Sequence, residues 1–260
     1  MKEKEVGKGG FIFVTGTDTD VGKTIASVGL VTALRAKGMA VQGLKPVAAG
    51  ADMRDVYKGG LLNDDAYLLQ QASSALLDYE QVNPFLFQRP IAPHLAAEEQ
   101  GVVLTAKDCV DAMRIAKQSS ATKLDGVAPL CVVEGAGGWR VPLSVSEDFS
   151  AIAGQLDASV VLVVAIKLGC LNHAVLTAEA VRRDGLELKG WVANITVPLE
   201  DAEQVELTRQ NIQTLKRTLQ APLLAEIPFN PQVDLLFDPG KAADLRQSLS
   251  SCFDVEPLLS

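Results

Sequence analysis

Apolar runs of strand length alternate along this chain with longer segments in which apolar residues recur at helical spacing. The short runs predict β-strands, and the helical spacing predicts helices between them. This alternation is typical of an α/β fold in which helices cover both faces of a mostly parallel sheet. We therefore predict six strands, at residues 11–15, 41–46, 130–134, 160–166, 188–195 and 223–227. The predicted helices lie near residues 23–37, 65–73, 106–119, 172–183 and 203–219.

Composition limits the kind of protein this can be. The chain has 260 residues, 48% of them hydrophobic, which suits one large domain over residues 1–260 with a sizeable core. Asp and Glu outnumber Lys and Arg by 32 to 24, and the formal net charge is −8. That balance is unsuited to binding a phosphate backbone or an anionic lipid surface. We expect neither nucleic acid nor a membrane as a partner.

No apolar segment is long enough to cross a bilayer. The longest, residues 158–166, has strand length and is far shorter than the ~18 to 20 residues that a membrane span requires. The first ten residues mix Lys with Glu, which predicts neither a signal peptide nor a transit peptide. The four cysteines are not spaced as CxxC pairs, which predicts free thiols rather than a zinc site. These features favour a cytoplasmic enzyme or switch.

The strongest chemical signal follows the first predicted strand. That strand leads directly into GTDTDVGKT, residues 16–24, and then into the first predicted helix. A glycine-containing turn in this context is a phosphate loop, whose backbone N–H groups converge on an anion. Lys23 would reach the β- and γ-phosphates, and the Thr24 hydroxyl would complete a Mg²⁺ shell. The spacing departs from the usual GxxxxGK[ST], because Gly16 lies one residue further from Gly22.

A nucleoside triphosphate enzyme also needs carboxylates for its metal ion. The predicted strand at 130–134 ends in Glu134 and is followed by GAGG, so this carboxylate points into the crevice at the carboxyl edge of the sheet. An exposed acid before a flexible turn is the alternative. Asp64 and Asp65 open a predicted helix, and on sequence alone we interpret both as helix caps.

Two further strand ends carry polar side chains of interest. Lys45 lies at the end of the second predicted strand, where a cation beside the phosphate loop could stabilise negative charge on a reacting group. It could equally be a lysine whose stem covers apolar surface. Asn194 ends the fifth predicted strand and could offer its amide to adenine, although turn formation is a common role for Asn.

Together these residues resemble the dethiobiotin synthetase family, and the resemblance covers most of the chain. The longer phosphate loop is normal in that family. Seven further segments occur in the same order. The segments that carry the resemblance are GTDTDVGKT (16–24), KPVAAG (45–50), NDDA (63–66), VNPF with APH (82–85 and 92–94), VEGAGGW (133–139), KLGCLNHA (167–174), GWVAN (190–194) and EIP (226–228).

The resemblance implies an ATP- and Mg²⁺-dependent ring closure. One amine of 7,8-diaminononanoate takes up CO2 as a carbamate, whose oxygen attacks the γ-phosphate of ATP. The second amine then closes on the mixed anhydride to give the cyclic urea, ADP and phosphate. Because the carbamate and the γ-phosphate are both anions, cations must offset their approach. Lys23, Lys45 and Mg²⁺ would supply that charge.

The family also implies a role for each matching residue. Lys45, Lys23 and Thr19 are the implied catalytic residues. The implied metal ligands are Thr24, Asp65 and Glu134, which replaces the cap interpretation for Asp65 but not for Asp64. The implied nucleotide-binding residues are Thr19, Asp20, Val21, Gly22, Lys23, Thr24, Ile25, Glu134, Gly135, Ala136, Gly137, Asn194, Ile195, Pro228, Phe229 and Asn230. The implied substrate-binding residues are Lys45, Ala49, Gly137, Leu168, Gly169 and Asn172.

In the family the segment at 168–172 comes from the opposite subunit, which implies a homodimer with shared active sites. Taken alone, Asn172 could serve only as the N-cap of its own helix. Two positions depart from the family pattern. Many relatives carry Glu at the position of Asp20, and relatives often carry Ser at the position of Ala49, whose hydroxyl contacts the substrate.

The main alternative is a partitioning or positioning ATPase, a dimeric switch with a related phosphate loop. Such proteins carry an additional lysine early in the loop, where this chain has Asp18. A GTPase would require an Asn-Lys-x-Asp motif, whereas residues 194–197 read Asn-Ile-Thr-Val. We expect no acid–base role for His94 or His173, because transfer to an ionised carbamate needs no strong base.

Overall fold

A computed structural model of the chain describes residues 9–54, 60–232, 236, 238 and 241–259. At its centre is a six-stranded sheet in which every neighbouring pair is parallel. Its members in chain order are β1 (Phe11–Gly16), β2 (Val41–Leu44), β7 (Leu130–Gly138), β8 (Ser159–Ala165), β9 (Leu188–Asn194) and β10 (Leu223–Ile227). The spatial order is β10-β9-β8-β1-β7-β2. All six predicted strands are therefore confirmed.

Helices lie between and after the strands. Their bounds are α1 (Lys23–Ala36), α2 (Asp64–Ala72), α3 (Tyr79–Val82), α4 (Pro93–Glu99), α5 (Ala106–Lys123), α6 (Ser150–Gln155), α7 (Cys170–Arg183), α8 (Ala202–Thr218), α9 (Ala242–Ser251) and α10 (Glu256–Leu259). The five predicted helices correspond to α1, α2, α5, α7 and α8. None of the helices in the described part of the chain is both long and apolar enough to cross a membrane.

The sheet is buried on both faces, and its strands are apolar at most positions. Phe13 points into one core cluster, together with residues of α5 and α7. Its neighbours Ile12 and Val14 point into a second cluster, together with residues of α1 and α9. Successive side chains of a strand alternate between faces, so a continuous apolar run fills both clusters. This confirms the α/β architecture with helices on both sides.

Short elements beside β2 were not predicted. A parallel pair joins β3 (Val47–Ala49) to β6 (Phe85–Phe87), and an antiparallel pair joins β4 (Asp52–Arg54) to β5 (Gly60–Leu62). The predicted second strand extended to residue 46, whereas β2 ends at Leu44. Pro46 has no N–H to donate, which agrees with a ladder that stops before it.

The N-caps of two helices differ from those suggested by the sequence. The N-cap of α2 is Asn63, whose side chain accepts a hydrogen bond from Ala66 N, so neither Asp64 nor Asp65 is the cap. The helix predicted to begin at residue 172 begins instead at Cys170, with Gly169 as its N-cap at φ +91°. Asn172 therefore lies inside the first turn, and the alternative role suggested for it, as an N-cap, is wrong.

Candidate active site

The phosphate loop joins the central strand β1 to α1. Thr17 N donates to Val163 O at 3.1 Å, which holds the start of the loop on β8. Gly22 ends the loop as the N-cap of α1 with φ +87°, a left-handed conformation that glycine adopts without strain. A Cβ at Gly16 would lie 2.6 Å from Val21 Cγ2, so this turn also requires glycine. The predicted loop geometry is confirmed at both ends.

Lys23 is largely buried at the start of α1, with 7% of its surface exposed. Its Nζ donates to Asp18 O at 3.0 Å, so the ammonium spans the loop. Burial and the nearby charge of Lys45 lower the pKa of Lys23 from its usual value. Asp20, on the opposite side of the turn, has φ +57°, a region that Asp tolerates better than most residues.

The loop forms one wall of a cavity of about 1020 Å³. The residues after β2, the helix α2, the end of β7 and the segment before α4 form the other walls. The strand predicted to end at Glu134 continues to Gly138, so the glycine-rich residues after Glu134 belong to β7 and not to a turn. The residues that line the cavity are Thr19, Asp20, Gly22, Lys23, Thr24, Ile25, Lys45, Ala48, Ala49, Asn63, Asp64, Asp65, Leu68, Pro90, Ile91, Ala92, Pro93, Glu134, Ala136, Gly137, Val141 and Pro142. The structure thus brings most of the predicted site residues together.

A cluster of charged side chains lies on the floor of this cavity. Lys45 Nζ donates to Glu134 Oε1 at 2.6 Å, to Asp65 Oδ2 at 3.0 Å and to Gly135 O at 3.1 Å. Thr24 Oγ1 lies 2.7 Å from Asp65 Oδ1 and 3.1 Å from Glu134 Oε1. Lysine and both acids therefore converge on the first turn of α1, although they are far apart in the chain.

Burial controls the electrostatics of this cluster. Burial opposes the charge of Lys45, which is only 3% exposed, but the two carboxylates outweigh burial and raise its pKa. Burial also opposes the charge of Asp65, yet Lys45 and the Thr24 hydroxyl outweigh it and lower the pKa of that carboxyl. Glu134 is fully buried, and this burial raises its pKa despite the contact with Lys45. Lys45 is therefore held as a cation inside the site.

The oxygen atoms of the cluster fit a Mg²⁺ ion. Glu134 Oε2 is buried and has no hydrogen-bond partner among the described residues, so it is an unused anionic acceptor. The described residues contain no group of three or more His, Cys, Asp or Glu side chains that could hold a metal by themselves. Magnesium usually takes one or two carboxylates and completes its shell with water and phosphate oxygens. Thr24, Asp65 and Glu134 meet that requirement.

Both acids at the start of α2 line the cavity, although we expected only one of them to face it. Asp65 contacts Thr24 and Lys45 directly. These contacts favour Asp65 as the candidate metal ligand, which is the residue that the family resemblance implies.

Comparison with known proteins separates fold from family. A family model described as an AAA domain matches residues 11–235. The MinD cell division protein of Aquifex aeolicus aligns with 94% of this chain and 92% of its own, at 16% identity and a TM-score of 0.54. The cell division ATPase MinD of Pyrococcus furiosus aligns with 94% and 97%, at 15% identity and a TM-score of 0.50. These likenesses show the P-loop NTPase fold alone.

Sequence similarity decides the family. An ATP-dependent dethiobiotin synthetase BioD of Pseudomonas paraeruginosa is 44% identical over 246 residues, covering 95% of this chain and 96% of that protein. The corresponding protein of Vibrio campbellii is 41% identical over 248 residues, covering 95% and 97%. The chain belongs to the dethiobiotin synthetase family. Like its relatives, this synthetase is an ATP-dependent ligase of the P-loop NTPase fold.

Some residues that the family implies lie outside the cavity of the synthetase. Asn194, at the end of β9, is 7% exposed and donates from Nδ2 to Val21 O at 2.9 Å. Ile195 N donates to Ile227 O, which places this strand end beside residues 228–230. Phe229 is 38% exposed. None of these residues lines the cavity.

The second outlying segment is 168–172 at the start of α7. Leu168 is fully exposed, and Gly169 and Asn172 are also exposed. None of these residues lines the cavity of the same chain. The segment is thus available at the surface but is not joined to the charged cluster.

Other cavity residues were not predicted as part of the site. The segment 90–93 forms one wall, and the APH motif at 92–94 was its only signal in the sequence. His94 Nδ1 is buried without a hydrogen-bond partner in the described part of the chain. Trp139 is a packing residue, because its ring lies edge-on against Phe13 and its Nε1 donates to Asp184 Oδ2 at 2.8 Å.

Proposed function

We propose that this single-domain synthetase closes the cyclic urea of dethiobiotin from 7,8-diaminononanoate, CO2 and ATP, with Mg²⁺ as its metal ion. The proposal rests on the cluster of Lys45, Asp65, Glu134 and Thr24 beside the phosphate loop. One cavity contains a fixed cation, two carboxylates and a triphosphate-binding turn. This combination suits the meeting of two anions, which a simple hydrolase would not require.

The reaction begins on one amine of the substrate. Its lone pair adds to CO2 and a proton leaves, which gives a carbamate. A carbamate oxygen then attacks the γ-phosphorus and ADP departs with the bridging oxygen. The second amine attacks the carbamoyl carbon, loses its proton and expels phosphate, which leaves the cyclic urea. All atoms are supplied by the three substrates.

Lys45 is suited to hold the carbamate. Its ammonium is immobilised by three acceptors, so it presents positive charge without having to reorganise. Its raised pKa keeps it protonated throughout the neutral range. Ala49 lies in the same cavity and cannot donate a hydrogen bond to the substrate, so in this chain the charge of Lys45 contributes a larger share of the binding.

Lys23 and the phosphate loop are suited to hold the triphosphate. The backbone N–H groups of Gly22, Lys23 and Thr24 open α1, where the helix dipole favours an anion. Thr19, Asp20, Val21 and Ile25 complete the proposed contacts. When bound to Thr24, Asp65 and Glu134, Mg²⁺ would supply positive charge to the phosphate oxygens. Residues 135–137 at the end of β7 lie beside the loop, where a Cβ at Gly137, whose φ is +59°, would lie 3.5 Å from Thr19 Oγ1.

The outlying residues extend the proposal to a homodimer. The exposed segment with Leu168, Gly169 and Asn172 would enter the cavity of a second subunit and contact the far end of the diaminononanoate. Residues 194–195 and 228–230 would enclose the adenine. Backbone N–H groups at the start of α7 suit a substrate carboxylate that takes no part in the chemistry. We place the enzyme in the cytoplasm, with no role for nucleic acid or membrane.

The positioning ATPase is the alternative that the fold makes relevant. Its additional lysine would lie where this chain has Asp18, and the Asp18 carbonyl accepts a bond from Lys23 instead. The discriminating experiment measures ADP release with Mg²⁺ and ATP, with or without diaminononanoate and bicarbonate, and the mass of the product. We expect release to require both and dethiobiotin to accumulate. Release that DNA or lipid vesicles stimulate, without dethiobiotin, would contradict the proposal.

A further inference from the structure

Asn194 connects a distant strand to the phosphate loop. It ends β9, which is separated from β1 by β8 in the sheet. Its side chain nevertheless extends to the loop, where Nδ2 donates to Val21 O at 2.9 Å. Val21 is 1% exposed, so this carbonyl belongs to a buried part of the turn. The hydrogen bond joins two segments that are 173 residues apart.

The backbone around Asn194 is itself held on both sides. Its carbonyl oxygen accepts from Ile166 N at 2.9 Å, which ties it to the end of β8. The next residue donates from Ile195 N to Ile227 O at 2.9 Å, which ties it to β10. The amide therefore projects from the sheet itself. A donor that is fixed in this way positions its acceptor, because moving it would break the sheet-edge bonds as well.

Gly22 completes the contact. Its φ of +87° turns the chain into α1, and a Cβ built there would lie 2.0 Å from Asn194 Nδ2. Only glycine therefore allows the amide to lie against the turn. The two residues fit each other as a pair.

We propose that Asn194 is a positioning residue for the phosphate loop, and that it holds the Val21–Gly22 turn in the conformation that binds the triphosphate. This role is distinct from any contact with the adenine base. It deepens the proposed function, on which it rests, because it concerns how the nucleotide site is shaped. Without the amide, the Val21 carbonyl would be buried with no donor, and the turn would relax to recover a partner.

Tripolyphosphate has no base, so its affinity reports on the phosphate loop and not on the recognition of adenine. The affinities of tripolyphosphate and of adenosine are measured by calorimetry at fixed Mg²⁺ for the wild type and for Asn194→Ala. Because a lost bond to a buried carbonyl is involved, we expect the affinity for tripolyphosphate to fall about tenfold. If Asn194 only contacts the base, Asn194→Ala would bind adenosine more weakly and tripolyphosphate with unchanged affinity. That result would overturn the inference.

Two variants serve as controls. Asn194→Asp keeps the shape of the side chain but replaces the donor with a second acceptor, so it should lower the affinity for tripolyphosphate at least as much as Asn194→Ala does. If Asn194→Ala does not fold, Asn194→Asp still tests the inference. Gln213→Ala removes an exposed amide from α8 and should leave both affinities unchanged. Full tripolyphosphate affinity in Asn194→Asp would also overturn the inference.

The pairing with Gly22 gives an independent measurement. Gly22→Ala should weaken tripolyphosphate strongly, and the further loss should be smaller when Asn194 is already Ala, because the clash has been removed. Strictly additive losses would contradict the paired contact. A wild type that does not bind tripolyphosphate at all would instead contradict the phosphate loop, and with it the proposed function.

Discussion

The charged cluster and the segment at 168–172 are built in opposite ways. In the cluster, Lys45 contacts Glu134 at 2.6 Å and Asp65 at 3.0 Å, and both Lys45 and Glu134 are buried. Leu168, by contrast, is fully exposed at the start of α7. Buried charge without a partner is costly, so a charged centre must be satisfied within one chain. A surface that binds the neutral or distal part of a substrate has no such requirement and can be supplied by a second subunit.

The largest effects should come from the two lysines of the buried centre. Lys23→Ala and Lys45→Ala should each reduce kcat by about a thousandfold or more, because each removes charge placed where it develops in the reaction. Only Lys23→Ala should greatly weaken ATP binding in calorimetry. The matched control is Lys216→Ala, which removes an exposed ion pair and should leave kcat unchanged. Equal large losses of ATP affinity in both variants would show that Lys45 belongs to the nucleotide site.

Lys45→Ala also tests whether the centre is charge-balanced. Without its cation, Glu134 and Asp65 remain buried close together, and we expect a loss of about 3–5 kcal/mol in the free energy of unfolding. Urea denaturation measures it. Lys45→Ala together with Glu134→Gln should recover part of that loss. A single variant as stable as the wild type would contradict the account of the cluster.

The next largest effects should come from the carboxylates proposed to bind Mg²⁺. Asp65→Asn and Glu134→Gln should each raise the Mg²⁺ concentration needed for half-maximal activity by about tenfold or more. Asp64→Asn should change it by less than about threefold, since its neighbour makes the contact with Thr24. Titration of activity with Mg²⁺ gives the ranking. If substitution of Asp64 has the larger effect, the assignment of Asp65 as the metal ligand is wrong by one residue.

We expect a smaller effect for the segment at 168–172. Asn172→Ala should raise KM for diaminononanoate by about five- to tenfold, as expected for the loss of one hydrogen bond, and leave KM for ATP unchanged. Mixing Lys45→Ala subunits with Asn172→Ala subunits should restore one intact site per heterodimer. A dilute monomer with full activity would contradict the shared site.

The smallest expected effect concerns Ala49, which lines the cavity from β3. Ala49→Ser introduces the hydroxyl that relatives often carry. We expect KM for diaminononanoate to fall by less than about tenfold, since a neutral hydrogen bond contributes about 0.5–1.5 kcal/mol. Steady-state kinetics with varied substrate measures it. A large change in kcat would show that position 49 acts on the chemistry and not on binding alone.

The sheet was predictable because its strands are buried on both faces. Most of them contain a short apolar run, clearest in β1, β7 and β8, that can be recognised without tertiary information, and the phosphate loop follows the first of them. The three-residue strands β3 to β6 were not predictable, because three residues carry no period. They pair with one another, β3 with β6 and β4 with β5, and β3 and β6 also pack against α4.

Contacts between distant segments account for the remaining differences. Nothing near Asp65 in the sequence indicates that Lys45 and Thr24 would contact it, so the local cap interpretation was the better supported one until the family resemblance was considered. Asn63 is the actual cap, since its side chain accepts from Ala66 N. In the same way, the sequence around Asn194 could not indicate that its amide would donate to Val21 O.

The central claim is that this cavity joins a carbamate to the γ-phosphate, and oxygen transfer tests it most directly. Bicarbonate labelled with ¹⁸O is added at mixing to enzyme, Mg²⁺, ATP and diaminononanoate, and the phosphate from a rapid single turnover is analysed by mass spectrometry. If the carbamate oxygen attacks phosphorus and the carbon–oxygen bond later breaks, the phosphate acquires one labelled oxygen for each dethiobiotin formed. Dethiobiotin formed with unlabelled phosphate would contradict the account.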